Sequence, residues 1–411
     1  MNLYRLELKR VCKTRMTAIL LAIALVLAVV MAYLPVTFIG WTELDASGNE
    51  VRYTGLKAIR KRQEQQVSGT ITPDVMQEAL EAYQRVYRQH DASSINDIPV
   101  EVFYKELARY QPLVNNAKEA FADPKTGMAP GVMGLTAEDM QNFYSQLPKR
   151  LESVIWLEQS GKPGYEQAQA IAQKKFDAVQ KPFTYSFGVS SDAMDYQTLL
   201  SLLLTLLCAV IAAPVFASDA QTGAQDIQLC TKNGGLRLAA AKLAAAFSIT
   251  GAAYLLCGVV WILVTNALFG WESTKTSVQW LFSVTSLLPY TVGQMEWVML
   301  VANFLIFFAE VAFVLMASVW AKNNLTALSV ALISVVAPLI VYMVVPGSFG
   351  EWLSTLLPAG GIGLSNALLY KMIGFDFLYA GGHAFFQADV LLASAPIKIV
   401  LLVGLAAWGY L

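Results

Sequence analysis

Reactive side chains are scarce in this chain of 411 residues. It has two histidines, His90 and His383, in separate segments, and four cysteines, Cys12, Cys208, Cys230 and Cys257, none close to another. No metal-ligand pair stands at helical spacing, and no cysteine pattern marks a zinc site or a disulfide framework. No catalytic constellation appears. A phosphate loop is missing too: Ser160-Gly161-Lys162-Pro163 lacks the first glycine at the right spacing and the Ser or Thr after the lysine. Charge is thin, with Asp, Glu, Lys and Arg at 14% of the chain, about half the usual quarter. The net charge of -1 leaves no basic stripe for nucleic acid.

Hydrophobic residues are abundant instead, at 56%, above the ordinary level for a soluble domain. The charges that exist are gathered. Between positions 41 and 195 lie 17 of the 29 basic residues and 21 of the 30 acidic ones. That stretch reads as a water-soluble domain, and the rest reads as membrane. A spanning helix needs about 20 mostly apolar residues. Six candidates meet this, at 17–37, 196–217, 243–269, 297–320, 325–345 and 390–411. The fold class expected is an α-helical polytopic membrane protein with six transmembrane helices. A mainly helical extracellular domain, 38–195, is inserted between the first and second.

Orientation follows from the basic residues. Arg5, Lys9, Arg10, Lys13 and Arg15 precede the first span, Lys232, Arg237 and Lys242 separate the second from the third, and Lys322 separates the fourth from the fifth. These loops and the N-terminus are predicted to be cytoplasmic, in the cell membrane. Residues 1–16 are predicted to form an amphipathic elbow lying on the membrane, with Leu3, Leu6 and Val11 toward lipid. Lys398 fits poorly, because it falls inside the sixth apolar run.

Within the domain, Thr72-Pro73-Asp74 starts a helix whose stripe is Val75, Ala79, Ala82, Val86 and Tyr87. Thr136 starts a second, striped by Met140, Phe143, Leu147, Leu151, Val154 and Ile155, with a kink expected at Pro148. A third covers about 165–179. Residues 346–389 are too apolar for a free loop. Leu353, Leu356 and Leu357 followed by Pro358-Ala359-Gly360-Gly361 predict a broken re-entrant hairpin or an interfacial segment.

The segment 218–242 is the most informative. After the second span come Asp219, Gly223, Asp226, Gln228 and Leu229, then a Gly234-Gly235 turn, Arg237, and Lys242 at the head of the next span. This order resembles the type-2 permease family of ABC exporters, in the branch with a large outside insert between spans one and two, such as sodium-efflux and antimicrobial-peptide-resistance permeases. Asp219 stands where that family usually has Glu, and Ala224 where it has Thr. The resemblance covers the membrane part in order.

It implies that Asp219, Gly223, Asp226, Leu229, Arg237 and Lys242 form a coupling segment for a separate ATPase. The chain itself would bind no cofactor; the partner ATPase dimer would hold ATP and Mg. It further implies a second permease copy or a sister permease. The rival class is a non-transporting membrane sensor, immunity or scaffold protein that binds a peptide or envelope component through the outside domain.

One carboxylate, Glu310, lies inside the fourth span, with Asn303 two turns earlier on the same face. A lone charge at that depth costs about 2.5–3.5 kcal/mol on insertion scales. Glu310 is therefore predicted to face the protein interior. There it either bonds a neighbouring helix or, with Asn303, lines a pathway for a cation or a polar cargo group.

Overall fold

The apolar runs fold as six helices long and apolar enough to cross a membrane: Arg15–Phe38, Ser191–Thr222, Leu236–Phe269, Val292–Trp320, Asn324–Val344 and Gln387–Tyr410. This is the architecture of an α-helical multi-pass membrane protein. The computed structural model describes residues 3–45, 50–364 and 366–411. The first two residues of the predicted elbow lie outside that set.

Four spans have boundaries that differ from those expected by three residues or more. The second helix starts at Ser191, where Ser190 accepts from the Ala193 N–H at 3.3 Å, and it runs on past Ala217 to Thr222. Pro214 interrupts it without ending it. Ser318 of the fourth span donates to Ala213 O at 2.6 Å and accepts from the Phe216 and Ala217 N–H groups, so the backbone groups freed at the break are bonded. The third helix starts at Leu236, so Lys242 lies within it. The fourth starts at Val292, capped by a reciprocal Thr291–Gln294 box. The sixth starts at Gln387, directly after a β-hairpin, and Lys398 is well inside it.

The elbow is the helix Leu3–Cys12. Its expected facing is only partly right. Leu6 is exposed, but Val11 is buried in a small cluster with Leu20, Ile211 and Ile249. Arg10 turns inward to Asp219 on the second helix, and Glu7 pairs with Arg10 on the same face as Val11.

The inserted domain is mainly helical. Pro73–Gln89 buries Ala79, Ala82, Val86 and Tyr87, while Val75 is half-buried. The second expected helix is split. Thr136 caps Ala137–Gln141 in a box with Asp139, the helix is interrupted by a turn at Asn142, and Phe143–Gln159 then continues through Pro148. Tyr165–Asp177 comes next. Short antiparallel ladders were not expected. Gly40–Leu44 pairs with Glu50–Thr54, and Gly69–Thr70 with Thr184–Tyr185, which draws the two ends of the domain together.

The insert is bonded to the connections between spans three and four and between spans five and six. Ser277 N donates to Thr184 O at 2.9 Å, and Gln63 Nε2 donates to Phe269 O at 2.6 Å. Gln159 donates to Phe375 O at 2.7 Å and accepts from Tyr379 OH at 2.9 Å. Phe143 and Phe183 meet Trp280 edge-on at 6.4 and 6.3 Å; such pairs contribute about 0.5–1.5 kcal/mol each beyond burial. The insert and both connections therefore share one end of the helix bundle. The elbow and the connections after spans two and four share the other.

One bond of this seam is sensitive to pH. Glu119 of the insert accepts from Ser283 Oγ at 2.5 Å. Burial raises the Glu119 carboxyl above its usual range, while Ser283, the Val284 N–H and Arg150 pull it back. The folded chain then holds a proton that the unfolded chain releases, so stability falls as pH rises through the ordinary carboxylate range. Glu119→Gln keeps a polar partner for Ser283 and does not titrate. As pH rises through and just above the ordinary carboxylate range, the melting midpoint of the wild type should fall more steeply than that of Glu119→Gln. Equal slopes would contradict the assignment.

Candidate functional site

Two groups of buried polar residues stand out. The first lies at the end of the bundle opposite the insert. Asp219, on the continuation of the second helix, accepts from Arg10 Nη1 at 3.0 and 3.1 Å and from Lys242 Nζ. Arg10 also pairs with Glu7 at 2.9 Å and donates to Val215 O at 3.0 Å. Lys242 donates to Gln228 Oε1 at 3.1 Å and lies over the rings of Phe216 and Tyr410. Tyr410, near the end of the sixth helix, donates to the same Gln228 oxygen at 3.2 Å. Asp219 is 8% exposed and Lys242 is fully buried. The elbow, the second, third and sixth helices and the short helix Ala224–Leu229 thus meet at one ionic node.

The node divides the six residues of the coupling segment. Asp219 and Lys242 are internal, paired with each other, and out of reach of a docking partner. Gly223 ends the second helix at φ +73° and leads into Ala224–Leu229. Leu229 is half-buried against the core. Asp226 and Arg237 are exposed, and Arg237 donates to Asn233 Oδ1 at 3.2 Å. Between them stand two apolar side chains that sequence reading passed over, Ile227 at 73% exposure and Leu236 at 57%.

The short helix is fixed from behind by Gly234. A Cβ at that position would come within 1.5 Å of Gln228 O, so only glycine permits the approach. Beside this tip a groove of about 480 Å³ runs between Leu3 and Tyr4 of the elbow and Arg237, Ala240 and Ala244 of the third helix. The arrangement is an exposed apolar and charged tip on a rigidly held base.

The second group lies within the spans. Glu310 is fully buried, and its Oε1 accepts from Ser334 Oγ of the fifth helix at 2.5 Å, while Oε2 has no partner among the described residues. Asn303 is also buried, but it is not a bonding partner of Glu310. Lys398, unplaced by the sequence, lies close enough to Glu310 to interact electrostatically. Its Nζ donates to Thr355 O at 3.0 Å and Leu357 O at 3.1 Å, at the end of the helix Gly347–Leu356. Gln387 donates to Thr355 Oγ1 at 2.9 Å. Gln387 and Lys398 are about 16 Å apart along their helix, and both reach Thr355. The end of Gly347–Leu356 therefore lies inside the layer of spans, with a cation on its carbonyl end.

Beyond that helix, the segment 346–389 expected to be a broken re-entrant hairpin or an interfacial piece holds further short elements. A turn at 358–361 leads to the helix Leu368–Ile373 and then to a β-hairpin, Phe377–Ala380 with His383–Phe386.

A second buried carboxylate escaped the sequence reading. Glu296, at the head of the fourth helix, accepts from Asn266 Nδ2 of the third at 2.6 Å, and Gln197 of the second donates to its backbone carbonyl at 3.0 Å. Among the described residues no group of three His, Cys, Asp or Glu side chains could hold a metal ion.

No family model, curated protein or solved structure matches this chain.

Proposed function

We propose that this chain is the permease subunit of an ATP-driven exporter of the type-2 ABC class. It works with a separate ATPase dimer and with a second permease, either its own copy or a sister chain. The observation that carries this reading is the tip formed by Asp226, Ile227, Leu236 and Arg237. It is exposed, mixed apolar and charged, and mounted on a buried ion pair that ties it to the elbow and three spans. Force applied to such a tip by a closing ATPase would pass to the spans as rigid-body rocking. The chain supplies no phosphate loop, so ATP and Mg belong to the partner.

Lys232, Arg237, Lys322 and the elbow cations all gather at the tip's end, which favours placing that end in the cytoplasm and the insert outside the cell membrane. The native thiols test this. Cys12 and Cys230 are exposed at the tip's end, whereas Cys208 and Cys257 are buried. An impermeant maleimide applied to intact cells should leave the wild type unlabelled and should label Ser68→Cys and Ser160→Cys. Labelling of Cys230 from outside would reverse the orientation.

The coupling role is tested by Ile227→Asp and Arg237→Glu, exposed changes that leave the node intact. ATPase association should weaken in both, partially for the charge reversal because rim charges tune docking more than affinity. Unchanged association in both would remove the tip from the reading. The second reading, a non-transporting sensor or scaffold, is favoured by the bonded seam between insert and spans, through which a peptide bound outside would be felt. Stimulation of ATP hydrolysis by an exported cargo separates the two.

A further inference from the structure

A mostly apolar cavity bordering the spans belongs to neither polar group. It measures about 890 Å³, within the range of small-molecule sites. It opens where the insert meets the heads of the fourth and sixth helices. Its floor is Val298, Leu392 and Ala393, one to two turns inside those helices. Its roof is the insert helix Tyr165–Asp177, which contributes Ile171, Lys174 and Lys175.

The lining is polarised. Apolar side chains occupy the part level with the spans, and both cations sit in the part above them. Lys175 is committed: it pairs with Asp389 at 3.0 Å and lies 4.3 Å over the Phe386 ring. Lys174 is exposed and makes no ion pair among the described residues. With Asp389 set against Lys175, the cavity keeps one net positive charge at its upper rim. A slot that is apolar at bilayer depth and cationic at headgroup depth matches an amphiphile with an acyl tail and an anionic head.

We infer that this cavity binds an anionic phospholipid from the leaflet on the insert's side, its phosphate at Lys174 and its acyl chain along Val298, Leu392 and Ala393. The inference does not depend on the export reading; a lipid wedged between insert and spans would stiffen the same seam in a sensor. A basic side chain at a membrane surface favours an anionic headgroup by about fivefold.

The full chain in detergent would be incubated with equimolar phosphatidylglycerol and phosphatidylcholine of identical acyl chains, and retained lipid counted by native mass spectrometry. Phosphatidylglycerol should be retained about fivefold over phosphatidylcholine. Lys174→Glu should abolish the preference, and Lys125→Glu, on an exposed insert loop, should leave it. Ala393→Trp fills the floor from an exposed position and should lower retention of both lipids. Free glycerol phosphate should not compete. Equal retention by the wild type, a preference that survives Lys174→Glu, or displacement by glycerol phosphate would overturn the proposal.

Discussion

Asp219→Ala should be among the most damaging single changes in this protein. It removes the carboxylate that Lys242 and Arg10 share and leaves Lys242 fully buried without a counter-charge. Breaking a buried pair from one side typically costs about 3–5 kcal/mol, because the surviving ion keeps its desolvation penalty. Arg10 has Glu7 to fall back on at 2.9 Å; Lys242 keeps a hydrogen bond to Gln228 and two aromatic faces but no direct ion pair among the described residues. The elbow and the short helix should loosen, seen as faster hydrogen exchange over 3–12 and 224–229 and a lower melting midpoint. Adding Lys242→Met should recover a large part of the loss, since the orphaned charge is gone. Asp226→Ala, at an exposed position, should change stability little. A mild Asp219→Ala phenotype, or no recovery in the double variant, would mean that the node does not hold these elements together.

The second large effect is expected at Lys398. Lys398→Met removes both bonds to the end of Gly347–Leu356; it leaves the Thr355 carbonyl without a donor and the Leu357 carbonyl with the Gly360 N–H at 2.9 Å. The orphaned Thr355 acceptor costs about 1–3 kcal/mol, and Glu310 loses a neighbouring cation as well. Exchange should rise over 347–357, and Lys398→Arg should restore part of the protection. No change in that segment would contradict the capping role.

Glu310→Gln asks a different question. It keeps a polar partner for Ser334 and a similar shape but cannot ionise. If Glu310 only joins helices, fold and export survive; if it lines a pathway, export falls while folding and ATPase binding remain. Normal export across the working pH range would exclude Glu310 from a pathway.

The membrane part was legible because long apolar runs have few other fates, and Thr72 and Thr136 announced helix starts through their capping chemistry. The errors have physical causes. Asp219 and Lys242 read as loop residues because each is polar, yet each is buried by the other, and a pairing across 23 positions leaves no local trace. Glu296 was lost with the true start of the fourth helix, although Thr291-Val292-Gly293-Gln294 spells a capping box. The hairpin after Phe377 was also written in the sequence. Gly381-Gly382 supplies the two positive φ angles, +58° and +81°, that a tight hairpin turn demands. Lys398 could not be placed by composition. What makes it tolerable is a set of carbonyls some 40 positions away, visible only in three dimensions.

The central claim is that this chain couples to an ATPase through the tip beside Ile227. The most direct measurement is purification of the full chain from its native membranes, followed by assay of ATP hydrolysis in the eluate and its repeat with Ile227→Asp. The account predicts that a nucleotide-hydrolysing subunit copurifies with the wild type and is lost or sharply reduced with Ile227→Asp, while the variant itself remains folded and membrane-inserted. Recovery of an intact, folded chain with no ATP-hydrolysing partner, or an unchanged partner in Ile227→Asp, would contradict it.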